Sequence, residues 1–233
     1  MAFMELEQKI KGLAKDFFDF TVKNRRHLHQ HPELSFQEEN TAKYISKTLR
    51  EIGLEVTEGI AGNGLVVLIE GSNPGKKTVA LRADIDALPI EEQNEVPYKS
   101  KNLGVMHACG HDVHTASLIT VAKILNELKS DFEGTIKLIF QPAEEKAPGG
   151  ASLMIKEGVL ENPAVQSILG QHVAPNIPVG KIGFREGMYM ASTDEIYLRV
   201  IGKGGHGAAP HQAVDPVVIA SHIIVALQQI ISR

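Results

Sequence analysis

Apolar residues recur at Ile10, Leu13, Phe17, Phe18 and Val22, a helical spacing that predicts one helix over about 5–30, ended by Pro32. Ser35 and Glu38 in SFQE have the spacing of a capping box. A second helix follows on Tyr44, Ile45, Leu49 and Ile52 and closes at Gly53. The period then changes. GLVVLIEG and TVALRAD read as short strands joined by the turn SNPGKK. A helix is predicted from His111 to Leu128, and GTIKLIF is a strand that runs straight into QPAEE. A short helix over Ala151–Glu157 precedes SILGQHV, again a strand. Strands alternating with helices predict an α/β fold with a mixed, mainly parallel sheet flanked by helices.

A second pattern starts after Gly187, so residues 1–187 and 188–233 are expected to be separate domains. TDEIYLRVIGKGGHG reads as a strand with Ile196, Leu198 and Val200 on one face. A helix then runs to the chain end at Arg233, with Asp215 as N-cap and Pro216 at the first helical position. One strand and one helix bury themselves poorly, so this part is expected to dock elsewhere or to belong to something longer. No repeats or low-complexity segments interrupt the chain.

Composition narrows the function classes. With 233 residues, 43% hydrophobic and 22% charged, the chain has the balance of a globular protein with ample core material. The formal charge of −4 gives no reason to expect nucleic acid or an anionic membrane as partner. No apolar run approaches a membrane span. The start MAFMELEQKIKG is too charged for a signal peptide, and a single cysteine excludes an internal disulfide. Both point to the cytoplasm.

That single cysteine lies in MHACGHDVH, where Cys109 and His111 sit two apart at a strand–helix junction. Thiolate and imidazole suit zinc and related metals, but C-x-H alone leaves Cys109 open as buried filler, nucleophile or ligand. Glu144 and Glu145 end an apolar strand before a Gly-rich turn. One could bind a metal while the other serves as general base; two solvated loop acids are the plainer alternative. His172 ends another strand, as a further donor or as a satisfied core histidine. Asp84 and Asp86 are two apart and can point to one side, where a carboxylate could orient a ligand histidine; a solvated strand end is an equal reading.

Taken in order, RRHLHQHPELSFQE, LRADIDALPI, MHACGHDVH, QPAEE, GQH and GKGGHGAAPH resemble the metal-dependent aminoacylase and amidohydrolase family, which includes hippurate hydrolases, indole-acetyl-amino-acid hydrolases and N-acetyl-diaminopimelate deacetylases. The resemblance runs from about Arg25 onward. It implies a zinc-exopeptidase-like catalytic domain followed by the start of an inserted α+β lid and dimerisation domain. It also implies hydrolysis of small N-acyl amino acids at a site of two divalent ions, zinc or manganese. By the same resemblance Cys109, His111, Glu145 and His172 are the metal ligands, with Cys109 bridging. Glu144 is the general base, Asp86 supports the site, and His206 reaches a site from the lid to stabilise the oxyanion, often across a homodimer. Asp84 receives no ligand role, and His27, His29 and His31 receive no chemical role. The family's chains return from the lid to supply a final histidine, so this sequence is expected to stop inside the lid, leaving apolar surface open to self-association. A non-catalytic metal-binding fragment and a cysteine hydrolase using Cys109 are the alternatives.

Overall fold

The computed structural model describes residues 2–191 and 194–230. Thr193, at the start of the expected late strand, and the chain end at Arg233 lie outside them. The chain divides into two compact units, Met1–Pro178 and Val179–Arg233.

The first unit is built on a five-stranded sheet of β1 (Thr57–Ile60), β2 (Gly64–Glu70), β3 (Thr78–Asp84), β4 (Thr135–Gln141) and β5 (Ser167–Gly170), in the order β1-β2-β4-β3-β5. β3 pairs in parallel with both β4 and β5, while β2 runs antiparallel to β1 and β4. Only β2 therefore opposes the common direction, which is the mixed, mainly parallel sheet the alternation predicts. β4, β3 and β5 lie side by side in parallel, so the segments that leave them emerge on one edge. In such sheets that edge is where ligands bind.

Helices cover the sheet. On one face Leu65, Val67 and Ile69 of β2 and Leu138 and Phe140 of β4 pack with Ile45 and Leu49 of α3 (Glu39–Glu51) and Leu118 and Ile119 of α4 (His111–Glu127). On the other face Val66, Ala80 and Ile139 pack with Met154 of α5 (Gly150–Lys156) and Val159. Burial on both faces explains why β2 and β4 read as continuous apolar runs rather than as alternating ones. Lys137, buried on β4, aims its ammonium at the carbonyls of Val159, Glu161 and Pro163, so its charge closes the loop after α5.

Several expectations are corrected. The helix expected over 5–30 is two, α1 (Ala2–Asp16) and α2 (Phe18–Gln30), interrupted at Phe17, whose ψ of 10° departs from helical geometry. β1 follows Gly53 without any sequence signal, since TEGI has no apolar alternation. The capping box does not form: Glu38 occupies the N-cap of α3 without a side-chain cap bond. Glu33 does the capping, accepting from Thr41 N at 2.8 Å, Thr41 Oγ1 at 2.9 Å and Asn40 Nδ2 at 2.7 Å. Ser35 and Glu38 are buried and engaged elsewhere, as shown below. The left-handed Gly53 closes α3 as expected.

In the second unit α6 (Pro216–Leu227) starts as read, with Asp215 Oδ1 accepting from Val217 N at 2.9 Å. The strand expected over 194–200 does not form; the nearest pairing among the described residues is an isolated bridge between Lys203 and Val214. Alternating side chains do not make a strand without a neighbour to complete its hydrogen bonds. Ile196, Leu198, Val217, Ile224 and Val225 are correspondingly exposed.

α2 and α4 are tied by a buried polar group. His29 contacts Asp112 Oδ2 at 2.8 Å and Glu92 Oε1 at 3.1 Å, and Arg25 Nε lies 2.8 Å from the same Asp112 oxygen. The hydrogen bond to Asp112 raises the His29 pKa above 6.5 against its burial, with further help from Glu92. A raised pKa adds stability that is complete below the unfolded value and is lost as pH rises through the folded one. The stability difference between parent and His29→Gln in urea melts is therefore expected to shrink as pH is raised past 6.5; a constant difference contradicts it. Glu33→Ala is expected to cost about 1–2 kcal/mol by the same measurement, as for other lost caps, whereas a silent substitution would return the capping to SFQE.

Candidate metal centre

The segments leaving β3, β4 and β5, with the turn before α4, bring the sequence-predicted donors of the first unit together. Asp84 closes β3 and Asp86 follows it; Glu144 and Glu145 follow β4; His172 follows β5; Cys109 and His111 flank the start of α4. His206 lies in the second unit and is exposed.

His111 is fully buried at the first position of α4. Its Nδ1 lies 2.9 Å from the backbone carbonyl of Asp86 and 3.2 Å from Asp86 Oδ1. A carbonyl only accepts, so Nδ1 carries the proton and Nε2 presents its lone pair. That lone pair has no hydrogen-bond partner, although the atom is buried. Around Nε2 stand Asp84 Oδ2 at 3.6 Å, Glu145 Oε1 at 3.8 Å and Glu144 Oε2 at 4.0 Å. Burial works to lower the His111 pKa, yet the Asp86 bond and the charges of Asp84, Asp86 and Glu145 raise it.

His172 shows the same polarity. Its Nδ1 donates to the Val173 carbonyl at 2.7 Å, so its Nε2 lone pair faces Cys109 Sγ, 3.3 Å away. Cys109, His111 and His172 each offer a ligand atom within 4.8 Å of the others, as do His111, Glu144 and Glu145.

The backbone that delivers these groups is held by buried polar side chains. Asp86 is wholly buried, and its Oδ2 accepts from Ser35 Oγ at 2.7 Å and from the Glu145 backbone N–H at 3.0 Å. Glu38, also wholly buried, accepts from the Ala143 N–H at 2.8 Å and from Asn63 at 3.0 Å. Ala143 has a φ of 47°, a left-handed conformation that costs a non-glycine residue about 1 kcal/mol. The Glu38 bond holds that turn, and the turn aims Glu144 and Glu145 at His111. Ser35 and Glu38 thus brace the site from a motif whose spacing had suggested a helix cap. At the other turn, Gly110 has a φ of 83°, and a Cβ there would lie 2.4 Å from Val173 Cγ2.

Three residues carry more than their sequence context signals. The resemblance assigns Asp84 no ligand role, and its spacing leaves a solvated strand end as an equal reading. Asp84 is buried, lies near His111 Nε2, and bonds His114 Nδ1 through Oδ1 at 2.6 Å. Burial would raise the Asp84 pKa, but the His114 bond and the Arg82 charge outweigh it and hold it at about 2. His114 lies three residues after His111 in MHACGHDVH, and i, i+3 spacing on a helix that starts at His111 is the available signal. His29, left without a role, is the tie between α2 and α4 described above.

The arrangement has the chemistry of a divalent transition-metal centre. Two imidazole lone pairs, a thiol and carboxylates converge, and the buried His111 Nε2 and Glu145 Oε1 have no hydrogen-bond partner. Burial, then Glu145, Glu144 and Asp84, push the Cys109 thiol up to about 12. A nucleophilic cysteine requires the opposite shift. A cation among these carboxylates is what would release the thiolate.

Residues 80–233 match Peptidase family M20/M25/M40. The chain is 46% identical over 228 residues to the N-acyl-L-amino acid amidohydrolase of Geobacillus stearothermophilus, covering 97% of this chain and 60% of that protein. It is 46% identical over 232 residues to thermostable carboxypeptidase 1 of Saccharolobus solfataricus, covering 99% of this chain and 58% of that protein. Among solved structures, it resembles the Bacillus subtilis YXEP protein, described as a dinuclear metal binding peptidase from the M20 family, with a TM-score of 0.70 and 47% identity over 74% of this chain and 48% of the other. The chain thus spans about three fifths of the length of these two curated relatives.

Cys109→Ala is expected to remove most of the zinc retained after equilibrium dialysis, because the cluster loses its sulfur donor. Unchanged zinc stoichiometry by elemental analysis would exclude the thiol as a ligand.

Proposed function

This chain belongs to peptidase family M20/M25/M40, and from that premise we propose that it carries the catalytic centre of a metal-dependent hydrolase of small N-acyl amino acids. The observation that carries the reading is the buried, unpartnered Nε2 of His111, facing Glu144 and Glu145 with the Cys109 thiol alongside. Cys109, His111, Glu145 and His172 would hold two divalent ions, zinc or manganese. Bound there, the ions supply Lewis-acid polarisation of the scissile carbonyl and an acidified water.

Glu144 is the general base. It is the more exposed of the two adjacent acids, and burial together with the Glu145 charge raises its pKa above that of an ordinary glutamate. A raised carboxylate exchanges a proton more readily near neutral pH. It takes the proton of the attacking water and returns it to the leaving amine. Asp86 keeps His111 in the tautomer that leaves Nε2 free.

His206 would donate to the developing oxyanion. Its Nδ1 accepts the Ala208 N–H at 3.1 Å, so the neutral ring carries its proton on the exposed Nε2. Residues 188–233 are read as lid, with two copies associating through it; the exposed apolar side chains of α6 support this. A cysteine that must stay reduced to act as a ligand favours the cytoplasm. Among the described residues no helix is long and apolar enough to cross a membrane.

N-acyl amino acids fit both curated relatives named above. An N-acyl amino acid and the C-terminal residue of a peptide present the same bond, an amide whose nitrogen belongs to an amino acid with a free carboxylate. The Cys109 nucleophile reading is disfavoured by the thiol shift to about 12.

Hydrolysis of a panel of N-acyl amino acids, with and without added zinc or manganese, tests the reading; turnover that survives chelation overturns it. Glu144→Gln is expected to bind metal like the parent while turnover falls by about 100-fold or more, the usual range for a lost general base. Glu145→Gln is expected to weaken metal affinity instead. Identical behaviour of the two variants in metal titration and rate would refute the division of roles.

A further inference from the structure

His114 lies against the proposed ligands yet has no free nitrogen. Its Nδ1 bonds Asp84 Oδ1 at 2.6 Å, and its Nε2 accepts the backbone N–H of Val173 at 3.0 Å. An N–H only donates, so Nε2 carries the lone pair and Nδ1 the proton. Both ring positions are spent, and the ring is buried. Proximity alone would make Asp84, His111 and His114 a possible ligand group. The hydrogen bonds argue otherwise for His114.

Those two bonds tie the turn after β5 through the α4 side chain His114 to the end of β3. Asp84 is anchored in the sheet: its carbonyl accepts from Thr115 Oγ1 at 2.8 Å, and its Oδ2 meets Arg82 at 2.8 Å. Val173, by contrast, follows a four-residue strand whose side chains are all exposed. Apart from the facing of Cys109 and His172, the bond to His114 is the hydrogen bond from residues 172 and 173 to another part of the fold among the described residues, and the His172 ring also lies edge-on to that of His114, centroids 4.7 Å apart. His172 immediately precedes that tie. Gly110, between Cys109 and His111, leaves the room that Val173 Cγ2 fills.

We propose that His114 is a positioning residue, a clasp between Asp84 and the Val173 amide that holds His172 at ligand distance from Cys109. The inference rests on the reading of Cys109 and His172 as ligands and adds to it the group that sets their spacing. Both ring nitrogens of His114 are engaged by the protein, so it acts on His172 through the Val173 backbone and through its edge-on ring contact.

Four variants test the clasp from both ends. His114→Gln places an acceptor where Nε2 stands, whereas His114→Ala has none. Val173→Pro removes the donor and leaves His114 intact, and Val173→Ala keeps the donor. Circular dichroism confirms that each variant is folded. The first readout is hydrogen exchange of the Val173 amide in the metal-free chain, followed in the parent, both His114 variants and Val173→Ala. Protection is expected in the parent, His114→Gln and Val173→Ala, and its loss in His114→Ala. The second readout is zinc affinity by calorimetry. His114→Ala and Val173→Pro are expected to bind about 10- to 100-fold more weakly, the range for groups that orient metal ligands, while His114→Gln and Val173→Ala stay near the parent.

Rapid exchange of the Val173 amide in the parent overturns the clasp. Loss of zinc in both His114 variants, with Val173→Pro unaffected, overturns it in favour of His114 as a ligand. Normal zinc binding in His114→Ala, with the amide released, overturns the positioning role. A parent that binds no zinc refutes the metal reading and the positioning role with it, while the exchange experiment still reports whether the clasp exists.

Discussion

The candidate centre depends on one buried carboxylate. Asp86 has no access to solvent, and a charge in that position is tolerated only with its partners in place. Those partners come from across the sequence: His111 at the head of α4, Ser35 ahead of α3, and the Glu145 amide after β4. Each bond satisfies Asp86 and positions a functional element at the same time. Burial would raise the Asp86 pKa, but the His111 bond, then those from Glu145 and Ser35, lower it, so the carboxylate stays ionised and the arrangement persists. The fixed tautomer of His111 follows, and with it the lone pair aimed at the acids.

The sheet makes this possible. Because β4, β3 and β5 are adjacent and parallel, their exits share an edge, and Asp84, Glu144, Glu145 and His172 converge without long loops. The cluster of negative groups is unfavourable by itself. With burial it raises the Glu144 pKa and pushes the Cys109 thiol up to about 12, while Asp84 stays low only through its His114 bond and the Arg82 charge. A cation relieves all of these tensions at once, which is the physical sense in which the donors fit a metal.

The sequence made the scaffold legible where one physical signal dominated. The apolar runs of β2 and β4 reflect burial on both faces, and Asp215 with Pro216 marks the start of α6. Legibility failed where a residue answers to distant partners. Ser35 and Glu38 have the spacing of a local cap but bond Asp86 and Ala143, the latter 105 residues away from Glu38. The spacing of Asp84 and Asp86 leaves a solvated strand end and a site equally open, and their burial excludes the solvated end. β1 carries no alternation because it is an exposed edge. The alternation in 194–200 is genuine, but without a neighbouring strand it forms no ladder.

The central claim is that Cys109 is a metal ligand rather than a nucleophile or filler. Zinc K-edge X-ray absorption on the zinc-loaded chain tests it most directly. A sulfur scatterer at about 2.3 Å beside nitrogen and oxygen at about 2.0–2.2 Å is the expected result. A shell of nitrogen and oxygen alone would contradict the account.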